Sequence, residues 1–205
     1  MVALGTLYII SAPSGAGKTS LVKALLAQDN QVRVSVSDTT RDMREGEVSG
    51  IDYNFVSMDT FDQQILEDSY LEYADVFTNK YGTSQKWVDA ELAKGVDVIL
   101  EIDWQGAQQV RERVPNAVSI FILPPSQQEL RARLQGRGTD EQSVVEHRME
   151  NAVGEIEHYP EFDYLIINDQ FDTALTELAT IFHAQRLSLK QQQVKHRVML
   201  EGLLK

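Results

Sequence analysis

The segment Ser11-Ala12-Pro13-Ser14-Gly15-Ala16-Gly17-Lys18-Thr19 constrains this chain more than any other stretch. It follows a short apolar run, Leu7-Tyr8-Ile9-Ile10, and precedes an amphipathic segment, Ser20 to Gln28. Strand, glycine loop, helix is the order in which a backbone can cradle phosphate. Gly15 and Gly17 lack a Cβ, so the chain can curl there and turn several N–H groups inward. A helix starting near Gly17 adds unpaired N–H groups and the positive end of its dipole. Lys18 would bridge the outer phosphates of a nucleoside triphosphate, and the Thr19 hydroxyl would ligate Mg²⁺. The general pattern has glycine where this chain has Ala12, so the loop is a variant of the motif. It implies polyphosphate binding without saying which reaction follows.

Apolar runs recur along the chain with helical patterns between them. Leu7–Ile10, Val32–Val36, Val96–Ile102, Val118–Leu123 and Tyr164–Ile167 read as strands. Ser20–Gln28, Trp104–Arg113, Ser126–Leu134, Ser143–Glu157 and Phe171–Gln193 read as helices. This alternation predicts an α/β fold: a parallel sheet with helices on both faces. Asp38 to Lys94 breaks the rhythm with turn signals and aromatic alternating pieces, and reads as an inserted, partly antiparallel lobe. Gln135-Gly136-Arg137-Gly138-Thr139-Asp140 is a glycine-hinged, charged segment between two helices, which predicts a lid. A single domain follows, with core 1–37, 95–134 and 160–205, lobe 38–94 and lid 135–159. Leu187 to Lys205, rich in Gln and Lys/Arg, is expected to continue a helix and leaves a subunit contact, hence a homo-oligomer, open.

Charge and composition narrow the partners. The formal net charge is −12 over 205 residues, which repels nucleic-acid backbones and anionic membranes at long range. No apolar run approaches the roughly 20 residues of a membrane span, and no secretion signal is visible. The chain has no cysteine, which excludes disulfides and thiolate metal sites and makes a reducing cytoplasm the natural assignment.

Phosphate recognition outside the loop must come from local basic clusters. Arg41 and Arg44, three apart in a hydroxyl-rich loop, can converge on one phosphate, with Tyr53 as a phenolic donor; a solvated charged loop is the plainer alternative. Arg133, Arg137 and Arg148 surround the lid segment and would neutralise charge on a transferring phosphoryl group, unless they are helix-surface arginines paired with Glu129, Glu141 and Glu146. Glu101 and Asp103 close a core strand, where a carboxylate can hold Mg²⁺ or its waters; Asp103 can equally cap the next helix. Glu72 should face away from Leu71 and Tyr73 in an alternating strand, where its carboxylate can accept two N–H bonds from a base edge. The four histidines show no metal-ligand spacing.

SAPSGAGKTS, SDTTRDMREGEVSGIDYNFV, LEYA, KYGTS, LEIDWQGA and LQGRGTDEQSVVEHR occur in that order. Together they resemble the bacterial guanylate kinase family, from Gly5 to about Phe182. The resemblance implies Mg²⁺-dependent phosphoryl transfer from ATP to GMP. It places ATP on Ser14, Gly15, Ala16, Gly17, Lys18, Thr19 and Ser20, with Arg133, Arg137 and Arg148 as lid charge and Asn168 near the adenine. It places the GMP phosphate on Arg41, Arg44, Tyr53 and Tyr81. Guanine would meet Glu72, helped by Ser37, Thr83 and Asp103. Lys18, Arg41, Arg137 and Arg148 would be the catalytic cations. None of these residues needs a 2′-hydroxyl, so dGMP is a further expected acceptor. Many members carry Pro where this chain has Met43. Two other readings share some of these features: a kinase for another small anionic acceptor, and a family-like interaction module without catalysis. Modules of that kind typically lack the loop lysine and lid arginines, both kept here.

Overall fold

The buried pattern of the first strand sets the layers. In the structure, a computed structural model describing residues 4–76, 78–135 and 142–205, β1 (Leu7–Ser11) is buried along its whole length. Leu7 and Ile9 join one hydrophobic cluster; Tyr8 and Ile10 join another on the opposite face. A strand covered on both faces is what a parallel sheet between helix layers requires.

The chain runs from β1 into α1 (Lys18–Gln28) and β2 (Val32–Val34), then leaves the core. The insert holds β3 (Asp38–Thr39), β4 (Asn54–Phe55), α2 (Met58–Leu66), β5 (Tyr70–Val76) and β6 (Asn79–Ser84), followed by α3 (Gln85–Ala93). The core resumes with β7 (Asp97–Glu101), α4 (Trp104–Arg113), β8 (Val118–Leu123), α5 (Gln127–Gln135) and α6 (Gln142–Ile156). A 3₁₀ turn (Tyr159–Glu161), β9 (Tyr164–Ile167), α7 (Phe171–Arg186), α8 (Leu189–Lys195) and α9 (Arg197–Leu203) complete it. The core sheet has order β2-β7-β1-β8-β9, and every pairing is parallel. The five apolar runs of the sequence are these five strands. The insert sheet, β4-β3-β6-β5, is mixed: β3 pairs parallel with β4 and antiparallel with β6, which pairs antiparallel with β5.

Helices α1 and α7 cover one face, burying Leu21, Val22 and Leu25 against Ala174, Leu178 and Phe182. Helices α3 and α4 cover the other through Val88, Ala107 and Val110. Between them the sheet's carboxyl edge stays open, the edge where open α/β folds bind ligands. The loop after β1, Glu101 at the end of β7 and Asn168 after β9 all lie there.

Three local expectations need correction. The second strand stops at Val34 rather than Val36, with one more sheet bond from the Ser35 N–H to the Ile99 carbonyl, 2.9 Å. The helix expected over Phe171–Gln193 ends at Arg186. Arg186 reaches back to Asp29 (2.6 Å) and Asp97 (2.7 Å), and its carbonyl accepts the Gln192 side-chain amide at 2.9 Å, so the chain turns there. The insert also contains helices α2 and α3, which alternation did not show. Each is short, capped by a serine (Ser57, Ser84), and anchored by one fully buried residue, Phe61 or Val88.

Candidate active site

Both loop glycines are required where they stand. Gly15 and Gly17 have φ of 92° and 95°, in the left-handed region that side chains avoid. A Cβ on Gly17 would lie 2.3 Å from the Asn168 amide nitrogen, and one on Gly15 would press on Leu130 and Leu134 of α5. Asn168, only 5% exposed, donates its amide to the Ala16 carbonyl at 2.7 Å. Its own carbonyl accepts Arg133, 3.0 Å away, whose Nε donates to Glu129 at 2.9 Å. At the other end the Ser11 hydroxyl donates to the Ile102 carbonyl, 2.6 Å, tying the loop to β7. Thus Asn168 and Arg133, expected beside ATP, support the loop backbone from behind.

Lys18 opens α1, with Gly17 as the preceding cap, while Ser14, Thr19 and Ser20 are exposed around it. Partial burial draws the Lys18 pKa below the usual lysine range, and the carboxylates of Glu101, Glu155 and Asp103 oppose that shift. The Thr19 hydroxyl donates to Glu101 at 3.3 Å. Among the described residues no group of three acidic, His or Cys side chains forms a metal cage. A hydroxyl beside a strand-end carboxylate fits Mg²⁺, which prefers few protein ligands plus phosphate and water oxygens. Asp103 caps α4, accepting the Gly106 N–H at 2.9 Å, as expected of a strand-end carboxylate.

The insert gathers a second cluster. Arg41 makes a two-pronged pair with Glu47, at 3.0 and 2.8 Å, and Glu47 also accepts the Arg44 N–H at 2.8 Å. Arg41 is thereby held still more firmly charged, with Tyr81 near enough to add to the effect. Its guanidinium lies 5.4 Å from the Tyr53 ring centroid, and Tyr53 meets Tyr81 edge-on at 5.8 Å. Hydrogen bonding from Arg41 first, then from the Arg44 N–H, holds the Glu47 carboxyl down at about 2. Ser37 is half-buried where the core passes into the insert, its carbonyl bound to the Asn54 N–H at 2.9 Å.

Glu72 sits deeper. It is 5% exposed, and the Thr83 hydroxyl donates to it at 2.5 Å from the partnered strand. Burial, with Asp103 adding to it, pushes its pKa up to about 7 against the Thr83 bond. Simple alternation fails around it: Tyr70, Leu71 and Glu72 are buried in succession, while Tyr73 is exposed. The cause is a register shift between Tyr70 and Glu72 and cover on both sides, from Phe61 on Tyr70 and the α3–α4 layer on Leu71. Gly106 lies against the second Glu72 oxygen, which would be 3.0 Å from any Cβ there. Arg148 is half-buried on α6. Arg137, and residues 136–141 of the expected lid, lie outside the described residues.

Two strand-end carboxylates link the clusters: Asp103 acts on both Lys18 and Glu72, and Glu101 on both Lys18 and Tyr53. The guanylate kinase family profile matches residues 4–185. The chain belongs to the guanylate kinase family. Guanylate kinase of Saccharophagus degradans is 58% identical over 204 residues, 100% of each chain. Guanylate kinase of Escherichia coli K12 is 55% identical over 205 residues, 99% of each. The crystal structure of guanylate kinase from Anaplasma phagocytophilum superposes with a TM-score of 0.74 at 33% identity, covering 92% of this chain and 90% of that one. The chain is an enzyme of this type, a nucleotide-binding kinase. Among its described residues no helix is long and apolar enough to cross a membrane.

Two participants escaped the family pattern as read from the sequence. Glu47, the partner of Arg41, stands inside the segment that carries the resemblance, but its pairing spans six residues and needs the loop's curl. Glu155 on α6 is half-buried and close enough to the loop that its charge acts on Lys18. Nothing in local sequence brings α6 to the loop.

Proposed function

We propose that the protein transfers the γ-phosphoryl group of ATP to GMP, giving ADP and GDP, with dGMP as a second acceptor. The carrying observation is the buried Glu72 with its Thr83 partner, close enough to Asp103 to feel the carboxylate that also acts on Lys18 of the loop. Guanine presents N1–H and N2–H₂ side by side, and an ionised carboxylate is a two-pronged acceptor. Adenine would turn an N1 lone pair toward Glu72. Leaving such buried groups unpaired costs about 1–3 kcal/mol each, enough to select the base.

The remaining roles are those the family resemblance implies. Backbone N–H groups of 14–19 and Lys18 hold the donor phosphates, with Asn168 and Arg133 fixing that backbone. Arg41, Arg44, Tyr53 and Tyr81 hold the acceptor phosphate, while Ser37 and Asp103 border the base. Mg²⁺, on Thr19 with Glu101 or Asp103 in reach of its waters, supplies charge neutralisation when bound. The acceptor phosphate is already nucleophilic, so no protein base is required. Approach of lobe and core would align the two phosphates and exclude water; Arg148, and Arg137, would add charge near the transferring group.

An ADP-release assay offering GMP, AMP, CMP, UMP and dTMP separately tests this. Turnover with GMP alone is expected. Turnover with another base instead of GMP would leave the kinase and discard the role of Glu72.

We also infer self-association through the C-terminal helices. Leu189, Val198, Leu203 and Leu204 are each more than 70% exposed there. Residues 187–205 carry four basic residues against one acidic, on a chain of net charge −12. A basic, apolar tail fits the acidic surface of a second copy. Sedimentation of the full chain against one ending at Arg186 is expected to lose the larger species; identical profiles would remove the idea.

A further inference from the structure

The strand that carries Glu72 is the outer strand of its sheet. β5 pairs with β6 along one side, and among the described residues no strand lies along the other. Its ladder is also irregular next to Glu72, where the register shifts between Tyr70 and Glu72. Such a shift breaks the local pairing, so β6 alone holds this stretch loosely. Helix α4 of the core takes the place of the missing neighbour. The Gln109 side chain accepts the Tyr73 N–H at 3.1 Å and donates to the Tyr73 carbonyl at 2.9 Å. One primary amide thus meets both main-chain groups of one residue, as a paired strand would. Gly106, one turn earlier, is buried, and a Cβ there would lie 3.0 Å from Glu72 Oε2. Arg113, one turn later, reaches Asp68 just ahead of β5 at 2.8 Å. Gly106, Gln109 and Arg113 follow the i, i+3, i+7 spacing of one helix stripe. The Arg113–Asp68 pair is exposed and contributes little. Leu71 packs in the cluster of Ala107 and Val110, which holds the strand down without fixing its register, because apolar contact has no direction. The directional tie between α4 and β5 at Glu72 is Gln109.

We propose that Gln109 is a positioning residue for base recognition: it fixes the backbone next to Glu72 and thereby aims the carboxylate. The proposal rests on reading Glu72 as the guanine acceptor. The carboxylate is then held from three directions. The Thr83 hydroxyl fixes one oxygen at 2.5 Å, Gly106 leaves room for the other, and Gln109 fixes the residue that follows. Two parallel N–H···O bonds to a base edge need both oxygens in line with the base. A strand free to twist at Tyr73 can still make one such bond but not both together. Inosine monophosphate presents N1–H without the 2-amino group, so it needs only one. Loss of Gln109 therefore removes the advantage of guanine rather than nucleotide binding as a whole.

Steady-state kinetics of the full chain with GMP and with inosine monophosphate test this, with circular dichroism to check the fold. Gln109→Met keeps the length and helix propensity of the side chain but loses both bonds. The kcat/KM for GMP should fall about tenfold, through KM rather than kcat, while kcat/KM for inosine monophosphate and the KM for ATP change less than about twofold. Gln109→Glu keeps the acceptor for the Tyr73 N–H and loses the donor, so its loss should be smaller. Added to Glu72→Gln, Gln109→Met should cost no further preference for GMP, because the group it aims is already gone. Unchanged preference in Gln109→Met, or in Gln109→Glu if only that variant folds, would overturn the proposal. So would an equal loss for both nucleotides, or additive losses in the double variant, either of which would make Gln109 a structural brace only. A Glu72→Gln variant that keeps the native preference for GMP over inosine monophosphate would instead show that the reading of Glu72 fails, and the proposal with it.

Discussion

The two halves of the proposed site are made of different material. The half proposed for the donor, here the donor wall, is backbone: two glycines in the left-handed region, the start of α1, and an Asn168 amide that holds the Ala16 carbonyl from behind. The half proposed for the acceptor, the acceptor wall, is side chain on side chain: Arg41 on Glu47, Tyr53 on Tyr81, Thr83 on Glu72. A backbone site recognises phosphate whatever it is attached to, and it cannot be retuned by one substitution without breaking the loop. A side-chain site can be retuned one partner at a time. Damage to the donor wall should therefore cut turnover with every acceptor. Damage to the acceptor wall should appear in KM and base choice.

Lys18→Met should have the largest effect. It removes the only side-chain cation that the loop itself contributes, and turnover should fall about a thousandfold with any acceptor. The substitution relieves a desolvated charge, so the thermal midpoint should hold or rise slightly. Near-native turnover in a folded variant would break the contrast at its donor end.

The same contrast explains what was legible in the sequence. Backbone sites are local, so the strand, glycines, lysine and helix start of the donor wall stand in one short segment. The central strands β1, β7 and β8 were legible for a related reason: burial on both faces makes each a largely apolar run, as in Val118–Leu123. Side-chain sites depend on what the fold brings together. Arg41 and Glu72 were visible as residue types, but their GMP roles came through resemblance. The clamp on Arg41 by Glu47 is not encoded by a spacing. Gly106 reads as an ordinary helical glycine until Glu72 is placed against it. The end of α7 is set by Arg186 reaching Asp97, 89 positions away in sequence, which no helical periodicity reports.

Glu72→Gln should come next, on the acceptor side. One oxygen becomes an N–H₂ that meets the guanine donors head-on. The kcat/KM for GMP should drop roughly 10- to 100-fold, from about 1–3 kcal/mol of unmade bonds, with relaxed base choice. The pH dependence sharpens the point. The folded pKa is raised to about 7, so the free protein carries a neutral Glu72 below that pH. Guanine binds the ionised form, so native affinity for GMP should fall as pH drops through 7. In the Gln variant that fall should vanish, leaving only the titration of GMP's own phosphate. Superimposable pH profiles would take Glu72 out of base reading.

The smallest effect should come from Glu47→Gln, and it tests whether the acceptor wall is really a set of separable pairs. Glu47 touches no expected substrate atom; it orients Arg41 and takes the Arg44 N–H. A glutamine keeps one acceptor oxygen but loses the charge and one prong, so Arg41 gains freedom it must give up again when phosphate binds. The KM for GMP should rise roughly three- to tenfold at nearly constant kcat, since Arg41 itself remains. Base choice should not change, because Glu72 and Thr83 are untouched. Here the pH sign differs from that of Glu72. The Glu47 carboxyl is depressed to about 2, so its contribution is complete above the usual carboxylate range and is lost only as pH falls toward 2. The ratio of variant to native KM should therefore be flat from pH 5 to 8, the window in which the Glu72 effect changes most. A ratio that tracks pH as Glu72 does would mean that the two halves of the acceptor wall titrate as one network.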